Sequence, residues 1–228
     1  SSDLATHHRY SQPLPPTCPD RDTQTMPATP TSSSDWASYN AARAGTSAVR
    51  PLTDRALTTL RATHQNLAGL RAVELGSGAG IETRCLLQEG LSVHTIDVDS
   101  SVEKQMNELA SLGILEHRTG LIEEWDPLPH ADLILANASL PFVPRARFTS
   151  VWERVKHALL PEGILAVDLF GSDDTWASDV GTYLTRKEVD ELLDTLEVIE
   201  LNERNEEGHA FDGIKHWHTF TVIARHPA

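Results

Sequence analysis

Apolar positions along this chain change period several times, and each change marks an element. Arg71–Leu75 is a short apolar run that stops at Gly76, Gly78 and Gly80. From Ile81 to Gln88 the apolar residues recur at helical spacing. Leu91–Ile96 reads as a second strand and ends at Asp97. Ser100–Leu112 carries Val102, Met106 and Leu109 on one helical face, and Gly113 stops it. Ile114–Thr119 is a weaker third strand. Ala131–Asn137 is almost continuously apolar, as a parallel strand covered on both faces should be.

Arg145–Leu160 then reads as a helix, stopped by Pro161-Glu162-Gly163 before a fifth strand, Ile164–Phe170. A helix over Arg186–Thr195, a strand over Leu196–Asn202, an acidic loop over Glu203–Gly208 and a last strand over His216–Arg225 complete the pattern. The loop before that last strand is too short for a crossover, so the final pair is antiparallel. Strands alternating with helices predict an α/β fold: a Rossmann-like seven-stranded sheet, mostly parallel with a C-terminal antiparallel strand, and helices on both faces.

Upstream, Asp35 can cap a short helix from Trp36 to Ala44, ended by Gly45. Trp36, Tyr39, Asn40 and Arg43 share one face of it. Pro51 opens an amphipathic helix with Leu52, Ala56, Leu57 and Leu60, running to about Asn66. Residues 1–34 are rich in Pro, Ser and Thr and bury little apolar surface, which predicts an arm. The folded domain is expected over 35–228, with 35–70 as an N-terminal helical lid.

Composition narrows the function classes. With 228 residues and 39% hydrophobic content, the chain supports one well-buried domain and some extra length. The net charge is −14 with no basic run, which disfavours a nucleic-acid partner. Cys18 and Cys85 have no metal-ligand spacing and fit a reducing compartment. No apolar run approaches a membrane span and the start lacks a secretory apolar core, so a cytoplasmic location is expected. His7-His8 has no accompanying carboxylate or cysteine pattern, and no metal is assigned.

The glycine turn carries the chemistry. Strand, glycine turn and helix together present backbone N–H groups to a polar or anionic ligand. Asp97, about 20 residues past the turn at a strand tip, is placed to accept bonds from ribose hydroxyls. The spacing is G-x-G-x-G, and Ile81 occupies the third glycine position of the dinucleotide fingerprint. A nicotinamide oxidoreductase is therefore disfavoured. The stretch Glu74-Leu75-Gly76-Ser77-Gly78-Ala79-Gly80 instead resembles the (Asp/Glu)-x-Gly-x-Gly-x-Gly turn of class I S-adenosylmethionine-dependent methyltransferases. Pro161-Glu162-Gly163 resembles the same family's turn into its fifth strand.

That resemblance implies S-adenosylmethionine as cofactor and S-adenosylhomocysteine as product. It places Glu74, Gly76, Ser77, Gly78, Gly80, Asp97 and Val98 at the cofactor. It also places the turn after the third strand at the adenine. Leu121 stands there where the family usually has an acid, which leaves the backbone of Ile122 and the side chain of Glu123. Arg43 either pairs with the methionine carboxylate or belongs to an aromatic-faced helix packed on the core.

Ligands in an open parallel sheet sit outside its carboxyl edge, so Asn137–Phe142 should line the transfer site. Trp36, Tyr39, Phe142, Phe170 and Trp176 would wall an apolar pocket for a small acceptor. His216 and His218 alternate by two and share a face. His216 is the candidate general base and His218 a substrate contact; the other reading is a pair of structural histidines. Displacement at a sulfonium demands alignment more than a protein nucleophile. The expected function is methyl transfer to a small molecule, by a monomer or homodimer. The alternative is a protein of this fold that binds the cofactor for another reaction or for regulation.

Overall fold

The computed structural model describes residues 33–45, 48–210 and 213–228. The arm before residue 33, with His7, His8 and Cys18, lies outside the described residues. Two helices lead into the fold: α1 (Ser33–Arg43) and α2 (Pro51–Thr63), the latter with Pro51 in its first turn. They are followed by β1 (Arg71–Leu75), α3 (Ile81–Gln88), β2 (Ser92–Asp97), α4 (Glu103–Leu109) and β3 (Leu115–Thr119). Next come β4 (Ala131–Ala136), α5 (Arg145–Ala158), β5 (Leu159–Gly171), β6 (Tyr183–Leu184), α6 (Arg186–Leu192), β7 (Glu197–Ala210) and β8 (Gly213–Arg225).

The strands lie in the order β3-β2-β1-β4-β5-β8-β7, and β6 pairs with the end of β5. The pairs among β1 to β5 are parallel, while β8 runs antiparallel to both β5 and β7. The mostly parallel Rossmann-like sheet expected from the apolar pattern is therefore present. The two-residue β6 is an addition, too short to carry a periodic signal.

Both faces of the sheet are buried. One is packed by Leu57 and Leu60 of α2, Leu86 of α3, and Met106 and Leu109 of α4. The other is packed by Phe148, Val151, Trp152 and Val155 of α5 and Val189 of α6. Trp152 is fully buried, and its indole N–H donates to the Leu192 carbonyl at 2.9 Å. That bond satisfies the single polar atom such a core position brings with it.

Several boundaries depart from the pattern. α1 starts at Ser33, so Asp35 lies inside the helix rather than capping it. The segment Ser100–Leu112 is helical throughout, but its first and last three residues form tighter 3-10 turns. Pro161-Glu162-Gly163 is not a turn between helix and strand. It lies inside β5 as an irregularity, where the pairing with β4 shifts between Ala131 and Leu133. Glu162 adopts φ 64°, and a side chain on Gly163 would lie 2.7 Å from the Leu160 carbonyl. A bulge of this kind bends a strand without ending it.

The acidic stretch Glu203–Gly208 is strand rather than loop. It belongs to a long hairpin in which Glu203 pairs with Phe220 and Gly208 with Lys215. Its polar residues are held by cross-strand contacts: Asn205 with the His216 ring at 2.5 Å, and Arg204 over the Trp217 ring at 5.5 Å.

Candidate active site

The residues that follow β1 are shaped by what they must avoid. Gly76 has φ 80°, and a methyl group there would meet Ser139 Cβ at 2.5 Å. Gly78 has φ 49°, and its methyl would meet Asn40 Oδ1 at 2.9 Å. Both positions combine left-handed backbone with close approach, which only glycine accepts cheaply. Gly80 has a different task. It opens α3 at φ 71°, and a methyl there would collide with Leu109 and Met106 of α4. Gly80 thus packs helices together and does not line a cleft.

Asp97 locks this turn. Its Oδ2 accepts the Gly78 N–H at 2.7 Å and its Oδ1 accepts the Asp99 N–H at 2.9 Å. Burial pushes its carboxyl above the ordinary value, while the two backbone N–H bonds oppose that shift. Asp99 in turn accepts Asn40 Nδ2 at 2.9 Å, which ties α1 to the tip of β2. This bond, and the Arg50–Tyr39 bond below, hold α1 over the site.

Glu74 does not reach the cleft. It is buried beneath the turn and accepts the Thr83 hydroxyl at 2.5 Å. Desolvation pushes its carboxyl well above the usual range, and Glu82 adds to that shift. The acid of the motif therefore braces strand to helix here, as a group the native fold prefers to keep protonated.

A cleft of about 270 Å³ opens above this turn. Gly76, Ser77 and Gly78 line one side, and Asp97 with Val98 the next. Leu121, Ile122 and Glu123 form its far end, with Asn137, Phe142, Trp36, Tyr39 and Arg43 elsewhere on the wall. Ser77 Oγ and Asn137 Oδ1 are buried without a hydrogen-bond partner among the described residues. Orphaned polar atoms at a cleft call for a ligand or water.

A second cleft of about 590 Å³ adjoins the first, lined by residues of β5, β7 and β8 together with Tyr39 and Arg43 of α1. Tyr39, Arg43, Arg50 and Phe142 line both clefts. Arg50 holds their junction: it donates to the Asn137 carbonyl at 2.8 Å and to the Tyr39 hydroxyl at 2.8 Å. The second cleft has an aromatic wall. Phe142, Phe170, Trp176 and Trp217 follow one another with ring centroids 5.9–6.4 Å apart. The Lys215 ammonium lies 3.6 Å from the Trp176 ring centre and 3.9 Å from that of Trp217. It is buried and paired with Asp174 at 2.6 Å, so it pins the wall.

His216 and His218 are not part of either lining. The β8 residues that face the second cleft are Trp217, Thr219 and Thr221, and the two histidines point to the opposite face of the strand. His216 bonds Asn205 across the hairpin. His218 accepts the Asp173 N–H on Nδ1 at 3.1 Å, which leaves Nε2 to donate to Glu203 at 3.2 Å. Both histidines are engaged in contacts with Asn205, Asp173 and Glu203.

Several lining residues escaped the pattern. Arg50 carried no signal beyond its place before Pro51. Asn40 showed only its shared helical face. Asp168 lies one residue from apolar neighbours inside β5. Trp217, Thr219 and Thr221 were legible only as the other alternating set of β8, which lines the second cleft.

The comparisons agree with this architecture. Residues 73–167 match the family model described as a methyltransferase domain. The trans-aconitate 2-methyltransferase of Azoarcus sp. (strain BH72) is 32% identical over 97 residues, covering 42% of this chain and 38% of that protein. The enzyme of the same name from Rhizobium leguminosarum bv. trifolii (strain WSM2304) is 30% identical over 103 residues, 43% of this chain and 38% of that one. The chain thus spans well under half the length of these curated relatives.

Among solved structures, TehB of Haemophilus influenzae superposes with a TM-score of 0.66 at 18% identity, covering 84% of this chain and 67% of that one. NodS, an N-methyltransferase of Bradyrhizobium japonicum solved with S-adenosyl-L-homocysteine, gives 0.60 at 16% identity, covering 85% and 99%. The fold is the Rossmann-like α/β fold of methyltransferases. Over its matched segment and in its fold, the chain is similar to class I S-adenosylmethionine-dependent methyltransferases.

Proposed function

We propose that this protein is an enzyme that transfers a methyl group from S-adenosylmethionine to a small-molecule acceptor. The observation that carries the reading is the pair of adjoining clefts that share Tyr39, Arg43, Arg50 and Phe142 at the carboxyl edge of the sheet. One cleft suits a nucleoside with a charged tail, and the other suits its reaction partner.

In the first cleft Asp97 would accept the ribose hydroxyls, and the turn Gly76-Ser77-Gly78 would contact the amino-acid portion. Val98, Ile122 and Glu123 would surround the base. Ser77 Oγ, Asn137 Oδ1 and the Arg43 guanidinium supply unspent polar groups for the methionine end. Asp97, Glu82 and Glu123 make the lining rich in acids, which favours a cation over an anion. When bound, the cofactor supplies an electrophilic methyl group. The protein's share is to hold the acceptor in line with it and to exclude water. α1 would form the lid, with Trp36 and Tyr39 on its inner face, within an N-terminal segment of about 35–70.

Trp36, Phe142, Phe170 and Trp176 support an acceptor site for a small molecule. The relatives' names bring trans-aconitate into the acceptor panel, as a carboxylate to set against ring-bearing molecules. The net charge of −14 supports a protein that does not engage nucleic acid. Among the described residues no helix is long and apolar enough to cross a membrane. We take the protein to act in the cytoplasm as a monomer or homodimer.

Calorimetric titration with S-adenosylmethionine tests the cofactor half of this reading. Saturable one-to-one binding that NADH does not displace is expected. Absence of binding, or equal competition by NADH, would remove the methyltransferase reading.

A further inference from the structure

The second cleft carries a carboxyl group that nothing above accounts for. Asp168 lies near the carboxyl end of β5, at the floor of the cleft. Its Oδ1 accepts the Thr221 hydroxyl at 2.7 Å from the neighbouring strand. Among the described residues no hydrogen bond reaches its Oδ2. The aromatic wall of Phe170, Trp176 and Trp217 stands beside it in the same cleft. A polar group fixed on one oxygen and open on the other, against flat apolar walls, is built to take one hydrogen bond from a ring-bearing ligand.

We propose, on the basis of the methyl-transfer reading, that the acceptor is a small aromatic or heteroaromatic ring carrying a dissociable O–H or N–H, and that Asp168 is the catalytic residue that receives this proton. The ring lies against the aromatic wall and its X–H donates to Asp168 Oδ2. As transfer proceeds, the X–H bond breaks. Its electron pair forms the new bond to the methyl carbon, the old carbon–sulfur pair leaves with sulfur, and the proton passes to the carboxylate and then to water. A carboxylate acceptor has no proton to give and would face Asp168 charge to charge.

The surroundings suit a base. Burial pushes the Asp168 carboxyl upward, and the Thr221 hydroxyl and the Arg50 and Arg55 guanidiniums pull it back down. Glu200 raises it, though Glu200 is itself paired with Arg55 at 3.0 Å. The other charged residues lining the cleft are Arg43, Glu203 and Arg204. A base with a raised pKa takes a proton more readily, as general-base catalysis near neutral pH needs.

The test uses the full chain saturated with S-adenosylhomocysteine, and reads quenching of Trp176 and Trp217 fluorescence. The probes are phenols and N–H heteroaromatics, the same rings already methylated on that atom, and trans-aconitate as the carboxylate. The proton-bearing rings should bind at least tenfold tighter than their methylated partners, and Asp168→Ala should erase that difference. In turnover, Asp168→Asn should lose about 10²-fold in kcat. The wild-type acidic limb should lie above the ordinary carboxylate range, and Thr221→Val should move it higher still. A loss of packing alone would not move that limb. Equal binding of both ring sets, preference for trans-aconitate, no ring binding at all, or an unshifted limb would overturn the proposal. If S-adenosylhomocysteine itself fails to bind, the methyl-transfer reading fails first, and the two failures are distinguishable.

Discussion

Asp97→Asn is the substitution that separates turn architecture from cofactor contact. Both Asp97 oxygens already accept a backbone N–H, from Gly78 and from Asp99. An asparagine keeps one acceptor and turns an NH₂ toward the other donor. One buried N–H then loses its partner, which costs about 1–3 kcal/mol of fold stability. Asp97 also lines the first cleft, where ribose hydroxyls would bind its remaining lone pairs. Hydrogen bonds to a charged acceptor are worth about 1.5–3 kcal/mol, so the Kd for S-adenosylmethionine should rise roughly tenfold to 150-fold. Calorimetry and thermal unfolding on one preparation give both numbers. A variant that melts lower yet binds S-adenosylmethionine as tightly as the wild type would refute the ribose role, leaving Asp97 as a brace for the turn alone.

Three further outcomes follow from the same geometry. Gly76→Ala should cost about 2–5 kcal/mol, the sum of left-handed strain and collision with Ser139, read by denaturant unfolding; a cost below about 1 kcal/mol would contradict the close approach described for this turn. Glu74 has a folded pKa raised above its unfolded value of 4.5; its stabilising contribution is full below that value and is lost as pH rises through the raised one. Glu74→Gln, which keeps the Thr83 bond, should therefore gain stability over the wild type toward neutral pH and show a flatter unfolding midpoint, whereas a steeper decline would reverse the sign. Deletion through Arg43 should abolish turnover while the sheet stays folded, because no α1 residue belongs to either buried apolar cluster; full activity of that truncation would dismiss the lid.

The middle of the sheet was legible because its inner parallel strands are buried on both faces, and β4 therefore reads as one apolar run. The glycine turn was legible because backbone geometry forces residue type at Gly76 and Gly78. The hairpin was not. Glu203–Gly208 is poor in strand formers, and cross-strand pairs that no local pattern reveals hold it in the ladder. The irregular start of β5 hid behind residues that look like a turn, Pro161, Glu162 and Gly163.

At the site, the turn of the motif lies against the first cleft, while two of the motif's residues stand outside its lining. Glu74 and Gly80 serve packing, because strand and helix must be joined before any ligand can be held. Arg50 and Asp168 were silent because their importance comes from long-range neighbours: Tyr39 and Asn137 for one, Thr221 for the other.

Mass spectrometry of both products in one reaction reads whether the two clefts together pass a methyl group from cofactor to acceptor. The full chain is incubated with S-adenosylmethionine and a library of small ring-bearing and carboxylate acceptors. S-adenosylhomocysteine is expected in equal molar amount to one acceptor that has gained a single methyl group, with both formed more slowly by the Asp97→Ala variant at a cofactor concentration near the wild-type Kd. Tight binding of S-adenosylmethionine with no methylated product from any acceptor, or S-adenosylhomocysteine formed without a methylated partner, would contradict it.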